Sequence, residues 1–74
     1  MTLAELAIMA PARIIGLSET NHYLDRLQSL GVIPGADAKV LRTAPLGDPI
    51  QVRIENTLLS IRLADAELIH VETQ

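Results

Sequence analysis

Two histidines each stand close in sequence to a glutamate, and these pairs are the residues that could bind a metal ion. Glu19 and His22 are three positions apart, so they could share one face of a helix. His70 and Glu72 are two positions apart, which would place them on one face of a strand. Carboxylate and imidazole ligands suit a divalent transition metal. A tight site needs three or four converging ligands, whereas each pair supplies two, and polar residues on an outer face need no metal to explain them. We therefore predict no resident metal and no other cofactor, with these four residues as the candidates if a metal does bind.

The remaining polar residues give little support to catalysis. The chain has no cysteine, which excludes thiol nucleophiles, thiolate metal sites and disulfides. Neither histidine has a neighbouring pattern that would activate a nucleophile, and Ser18, Ser29 and Ser60 suit a cap, a polar helix face and a strand exterior. The glycines stand singly, so there is no glycine-rich phosphate loop. The sequence predicts a protein that is not an enzyme.

Charge and aromatic content exclude several kinds of partner. The 74 residues carry a formal net charge of −3 and a single aromatic side chain, Tyr23. Nucleic-acid-binding domains usually carry a basic stripe and stacking aromatics, so no nucleic acid partner is expected. Arg42, Arg53 and Arg62 occur singly on separate predicted strands, which favours a solvated sheet exterior over the alternative of a shared basic groove.

Chain length, apolar runs and the first residues give expectations for size and location. A chain of 74 residues is expected to form one domain, 1–74. No apolar run approaches the roughly 20 residues that span a bilayer, so direct membrane insertion is not expected. The first residues lack the positive segment of a secretion signal. We expect a cytoplasmic protein that starts at its own Met1.

Apolar periodicity predicts a mainly β fold with one short helix after the first strand. Ile50, Val52 and Ile54 alternate with polar residues, as in a half-buried strand. The predicted strands are 13–17, 37–43, 50–54, 58–63 and a last one around Ile69 and Val71. Short helical turns are predicted at 2–6 and 64–67. Too few residues remain for crossover helices, so the sheet should be antiparallel, in a small, partly open barrel.

Three details of these strands are specific predictions. Gly16 marks a bulge or a close approach of another backbone. In 37–43 the alternation places Ala38, Val40 and Arg42 on one face of the sheet, and Lys39 and Leu41 on the other. Residues Glu55 to Thr57 form a tight connection, in which Asn56 can adopt a left-handed conformation.

The stretch from Arg26 to Gly35 predicts the end of the helix and a turn into the second strand. The apolar residues that precede the helix end follow helical spacing and should face the core: Tyr23, Leu24, Leu27 and Leu30. Gly31 stands where a left-handed residue closes a helix. Pro34 and Gly35 suit the central pair of a type II turn.

Apolar residues inside turns are candidate docking groups. Val32 and Ile33 follow the helix end, and Leu46 lies in a loop rich in proline and glycine. A contiguous exposed apolar patch often marks an interaction site. The alternative is that Val32 and Ile33 seal the end of the barrel beneath the helix.

Over nearly its whole length, the sequence resembles the FeoA family, small cytoplasmic proteins of the bacterial ferrous iron uptake system. Three segments and a short motif at the start carry the resemblance: Arg26-Leu27-x-x-Leu30-Gly31-x-x-Pro34-Gly35, Ala44-Pro45-Leu46-Gly47-Asp48-Pro49-Ile50, Leu63-x-x-Ala66-x-x-Ile69-x-Val71 and Leu3-x-x-Leu6. Family members often have glycine where this chain has Ala10-Pro11 and Glu55-Asn56, and both departures concern turn geometry.

The resemblance implies a Src-homology-3-like barrel without catalysis of its own. It implies binding to the cytosolic part of FeoB, a membrane transporter with a GTP-binding domain, and hence a location at the inner membrane through that partner. Val32, Ile33, Leu46 and Arg26 are the predicted partner-binding residues, and homo-oligomers are left open. The alternative function is a metal- or ligand-sensing module, like the related barrel at the end of some iron-dependent repressors.

Overall fold

The computed structural model describes residues 1–74, which form five strands, two helices and a 3₁₀ turn. After the 3₁₀ turn Leu3–Glu5 come the following elements: β1 Ala12–Leu17, α1 His22–Ser29, β2 Asp37–Thr43, β3 Ile50–Ile54, β4 Thr57–Ile61, α2 Leu63–Ala66 and β5 Ile69–Thr73. The strands form one antiparallel sheet in the order β4-β3-β2-β1-β5. The predicted mainly β fold, with a short helix after the first strand, is confirmed.

The core is aliphatic, as a chain with one aromatic residue requires. It consists of 17 buried apolar residues, contributed by all five strands, both helices and the connections between them. Ile50, Val52 and Ile54 are buried on one face of β3, and Ile69 and Val71 on one face of β5, as the alternation predicts. Leu24 and Leu27 bring α1 onto this core.

The N-terminal residues pack along β5. Met1 accepts a 2.9 Å hydrogen bond from the Val71 N–H, and Thr2 forms a bridge with His70. The Thr2 N–H donates to the Glu5 carboxylate at 2.7 Å, the interaction expected of a glutamate at the third position of a capped turn. This hydrogen bond holds the pKa of Glu5 below its usual value.

Two bulges change which side chains face outward. The register of β1 against β5 shifts between Ile14 and Gly16, so the bulge predicted at Gly16 is confirmed. The register of β2 against β3 shifts between Val40 and Arg42, and this second bulge was not predicted. The extra residue there returns Arg42 to the outer face, and the sequence-based assignment of Arg42 to the same face as Ala38 and Val40 is wrong.

The tight connection between β3 and β4 also differs from the prediction. Glu55, and not Asn56, has a positive φ, 53°. The Glu55 carboxylate accepts a hydrogen bond from the Asp37 N–H at 2.5 Å, and the Glu55 N–H donates to the Asp37 carbonyl at 2.9 Å. These bonds to β2 hold Glu55 in a conformation that it would seldom adopt alone.

Candidate interaction surface

The end of α1 is closed by the backbone pattern that the sequence predicts. Asn21 caps the start of the helix, where its Oδ1 accepts from the Leu24 N–H at 2.9 Å. At the other end, the Gly31 N–H donates to the Gln28 carbonyl and the Val32 N–H to the Leu27 carbonyl. With φ of 111° at Gly31, these two bonds form a Schellman motif.

The turn after the helix is fixed to β1 as well as to itself. The Ala36 N–H donates to the Ile33 carbonyl at 3.1 Å, and Gly35 has φ of 93°, as a type II turn requires. The Gly35 N–H donates to the Ile14 carbonyl at 2.7 Å, and the Ile14 N–H donates to the Ala36 carbonyl at 2.9 Å. The backbone from Gly31 to Ala36 is therefore held in one conformation.

This rigid segment carries an exposed patch, which we name the helix-end patch and define as Arg26, Leu30 and Ile33. Arg26 and Leu30 lie one helical turn apart and are both exposed, and Ile33 is 49% exposed. Ile15, which follows the strand residue bound to this turn, is also exposed. The patch combines apolar side chains with one cation on a rigid backbone.

Two sequence-based assignments near the helix end change with the structure. Val32 is 0% exposed, so its side chain seals the core beneath the helix and is not available to a partner in the folded protein. Leu30, predicted to face the core, is half-exposed, because the helix ends at Ser29 and Leu30 is the capping residue with φ of −93°.

Leu46 lies at the other end of β2 from Ile33. It is 97% exposed, in a loop where the Gly47 N–H donates to the Ala44 carbonyl and the Asp48 carboxylate accepts from the Leu63 N–H. The seven residues of β2 separate the two sites, a span of about 20 Å at strand rise. Ile33 and Leu46 therefore belong to two separate surfaces.

Glu19 lies before the helix, which begins at His22 with Asn21 as its cap, so Glu19 and His22 do not share a helix face as their spacing predicted. His22 is exposed at the start of α1, whereas His70 is half-buried on β5. His70 Nε2 is hydrogen-bonded to Ser18 Oγ. No group of three or more His, Cys, Asp or Glu residues is placed to hold a metal ion. The donor set present thus offers a metal at most partial coordination by side chains.

The three arginines predicted to lie on strands have different surroundings. Arg42 and Arg53 do lie on strands, but β4 ends at Ile61 and Arg62 is the capping residue before α2, so its assignment to a strand is wrong. Arg62 lies over the Tyr23 ring, 4.4 Å from its centroid, and its Nε donates to Asp65 Oδ2 at 2.8 Å. Arg42 donates to Gln51 Oε1 at 2.6 Å, and Arg53 is exposed. Arg62 is therefore paired within the chain, while Arg42 and Arg53 lie together on the outer face of β2 and β3.

Sequence reasoning missed some exposed residues. Leu58 is 70% exposed on β4, beside Arg53 on β3. Lys39 lies across from Arg53 on the other side. The register of the three strands was the missing information, because the sequence shows alternation in each strand but not which residues are opposite one another.

Comparison with known proteins identifies the family. The family model described as FeoA domain matches residues 1–73. The chain belongs to the FeoA family.

Solved structures agree with this assignment. The FeoA protein from Chlorobium tepidum is 41% identical with a TM-score of 0.92, over 99% of this chain and 70% of that one. The iron(II) transport protein A from Clostridium thermocellum is 37% identical with a TM-score of 0.90, over 99% of this chain and 45% of that one. The zinc complex of FeoA from Stenotrophomonas maltophilia is 25% identical with a TM-score of 0.85, over 97% of this chain and 89% of that one, and is described as an SH3 domain protein. The predicted Src-homology-3-like FeoA fold is confirmed.

A curated relative joins this domain to a second protein. It is the Fe(2+) transport protein A/Fe(2+) transporter FeoB fusion protein of Porphyromonas gingivalis, 33% identical over 72 residues. The match covers 97% of this chain but 8% of the fusion protein. The FeoA domain thus occurs in one polypeptide with a FeoB transporter in that relative.

Proposed function

We propose that this chain is an accessory, regulatory module of ferrous iron uptake that binds the cytosolic part of a FeoB-type transporter. It acts without catalysis of its own, in the cytoplasm, and reaches the inner membrane through that partner. The observation that carries the proposal is the fused relative, in which a FeoA domain and a FeoB transporter share one chain.

The fusion of a FeoA domain to a FeoB transporter in one relative supports our proposal that the two proteins associate physically. A linker that joins two modules converts their encounter into an intramolecular event and raises the effective concentration of each near the other to about the millimolar range. Such a gain is useful to a domain that acts on the transporter. None of the helices has the length and apolar run of a membrane span. The contact in our proposal is with the transporter's cytosolic part.

The helix-end patch is the surface that we assign to this contact. Leu30 and Ile33 offer apolar area to bury, and Arg26 adds a cation at the rim. Their backbone is already fixed by the Schellman motif and the type II turn, so little conformational entropy is lost on binding. Leu46, 97% exposed, is assigned to a second contact.

The alternative function, a metal- or ligand-sensing barrel, has support from fold alone. A manganese-dependent transcriptional repressor superposes with a TM-score of 0.87 at 17% identity. Sensing requires a ligand site, and no set of three metal-binding side chains converges in this chain. We therefore favour the docking function.

Capture of the intact transporter tests the proposal. Tagged protein would be incubated with detergent-solubilised membranes that contain the FeoB-type transporter, with GTP, with GDP and without nucleotide. We expect capture of the transporter, reduced by Leu46→Asp and unchanged by Ile8→Asp, a matched change at another exposed apolar residue. Absence of capture in all three nucleotide conditions would contradict the proposal.

A further inference from the structure

Two cationic side chains lie directly opposite each other on the outer face of the sheet. Lys39 of β2 is the register partner of Arg53 of β3. Their neighbours along the strands, Ala38, Val40 and Val52 among them, are buried, so Lys39 and Arg53 point away from the core. Like charges in direct cross-strand positions repel each other. An anion between the two side chains would relieve this repulsion.

The bulge in β2 adds a third cation to the same face. Because the register shifts after Val40, Arg42 is opposite Gln51, and its Nε donates to Gln51 Oε1 at 2.6 Å. Gln51 and Arg53 are two positions apart on β3 and share its outer face. Three of the six lysine and arginine residues of this acidic chain are therefore on one face.

None of these three cations has a carboxylate partner within the chain. The two ion pairs are Arg13 with Asp37 and Arg62 with Asp65. Lys39 and Arg53 line a groove of about 360 Å³ that also contains two carboxylates, Asp37 and Glu55. Glu55 accepts from the Asp37 N–H, and Asp37 accepts from the Gln74 side chain at 2.9 Å. Asp37 is paired with Arg13, so Glu55 is the one carboxylate of the groove left to offset the three cations, and the face keeps a net positive charge.

An apolar side chain completes the row. Leu58 of β4 is the register partner of Arg53 on its other side and is 70% exposed. Lys39, Arg53 and Leu58 thus stand side by side on three adjacent strands, over about 10 Å at the usual strand spacing. We name Lys39, Arg42, Arg53 and Leu58 the basic sheet face.

We propose that the basic sheet face binds an acidic peptide segment of a protein partner. A carboxylate of the segment lies between Lys39 and Arg53, and an apolar side chain of the same segment packs on Leu58. The argument for this occupant is charge complementarity: the face is positive within a chain of net charge −3. That net charge opposes the approach of a long polyanion or an anionic bilayer, whereas a short segment meets the local positive field first.

This inference concerns a face distinct from the helix-end patch and does not depend on the identity of the partner. The test of this inference uses no transporter, so a negative result would leave the proposed function standing. A failure to bind the transporter would likewise leave this inference standing.

The test measures binding of labelled peptides to the whole chain by fluorescence anisotropy at low salt. The probe is a ten-residue peptide of alternating glutamate and valine, and the reference peptide has glutamine in place of glutamate. We expect the acidic peptide to bind at least tenfold more tightly than the reference. Binding should weaken about tenfold when NaCl rises from 20 to 300 mM, because salt screens exposed charges.

Arg53→Glu should abolish that preference without unfolding the protein. The change places opposite charges across β2 and β3, so we expect the melting temperature to be unchanged or higher. The matched control is the double variant Thr20→Glu/Ser29→Glu. Starting from −3, it reaches the same net charge as Arg53→Glu (−3 − 2 = −5), with both changes outside the basic sheet face. We expect the control to bind the acidic peptide within threefold of wild type.

Three results would overturn the inference. One is equal affinity for the acidic and the glutamine peptide. Another is equal loss of binding in Arg53→Glu and the control, which would show a response to net charge alone. The third is tighter binding to phosphatidylserine vesicles or to a single-stranded 20-mer DNA than to the acidic peptide, which would assign the face to a lipid surface or a nucleic acid. If Arg53→Glu has a lower melting temperature than wild type, Lys39→Gln is tested in its place. We expect Lys39→Gln to lose the preference for the acidic peptide in the same way.

Discussion

Leu27 and Ile33 lie six residues apart, on either side of the helix end, and their side chains have opposite surroundings. Leu27 is 4% exposed and packs in the aliphatic core, while Ile33 is 49% exposed on a turn. The backbone around Ile33 is fixed by neighbouring residues, namely Gly31, Pro34 and Gly35. The Ile33 side chain is therefore not needed to hold the turn, and it is free to contact a partner.

The two residues should separate stability from binding. Leu27→Ala should lower the free energy of unfolding by about 2–5 kcal/mol, because it leaves a cavity in the core. Ile33→Asp should change it by no more than about 0.5 kcal/mol, because the new carboxylate stays in water. Urea denaturation followed by circular dichroism would measure both. Equal destabilisation by the two changes would show that Ile33 belongs to the core.

Among the elements, the end of α1 was the most predictable from sequence. The conformations of Gly31 and of the Pro34-Gly35 pair are set by the backbone preferences of glycine and proline, which depend little on tertiary contacts. Both have the conformations expected of them. Leu30 was mispredicted because helical spacing says nothing about where the last turn stops.

The bulge in β2 and the connection after β3 could not be predicted in the same way. The alternation of polar and apolar residues breaks at Val40 and Leu41, which are adjacent apolar residues, but only the pairing with β3 shows that this break is a register shift. At the connection, asparagine adopts the left-handed conformation more readily than glutamate, yet tertiary hydrogen bonds to Asp37 place Glu55 there. The row of Lys39, Arg53 and Leu58 depends on the pairing of β2, β3 and β4, and Arg42 joins it through the bulge, so the basic sheet face was not visible in the sequence.

Two glycine substitutions test whether the end of α1 requires a residue in the left-handed conformation. Gly31→Ala should cost about 1–2 kcal/mol, because alanine is strained at positive φ. The added Cβ would lie 4.0 Å from the nearest atom, Ile54 Cγ2, so the cost would be conformational and not steric. Gly16→Ala is the control, because Gly16 lacks positive φ and has open space where the Cβ would lie.

We expect Gly16→Ala to leave stability unchanged or to raise it by up to about 1 kcal/mol, since alanine has fewer unfolded conformations than glycine. Thermal and urea denaturation of both variants would measure the difference. A loss at Gly16 as large as the loss at Gly31 would show that the left-handed conformation is not what the helix end requires.

At the scale of the whole molecule, polar groups are distributed over several small sites. Glu19 and His22 lie before and at the start of α1, while His70 and Glu72 lie on β5. Neither pair has a third metal-binding side chain beside it. The two surfaces that we propose for binding, the helix-end patch and the basic sheet face, lie apart from both pairs in sequence.

Iron binding by the isolated protein should therefore be weak. We expect ferrous iron to bind no more tightly than about 10 μM under anaerobic conditions, about 7 kcal/mol of binding free energy. Anaerobic calorimetry with wild type, His22→Ala and His70→Ala would measure it. Stoichiometric submicromolar binding that either substitution abolishes would favour the sensing function over the docking function.

The most direct test of the proposed function is binding of this chain to the purified cytosolic domain of a FeoB-type transporter, measured by calorimetry. Wild type and Ile8→Asp should bind alike, since Ile8 is exposed and lies outside the assigned surfaces. Ile33→Asp should bind at least tenfold more weakly while melting as wild type does, because the contact would bury an unpaired carboxylate. Wild-type affinity in Ile33→Asp, with the fold intact, would contradict the assignment of the helix-end patch to the transporter.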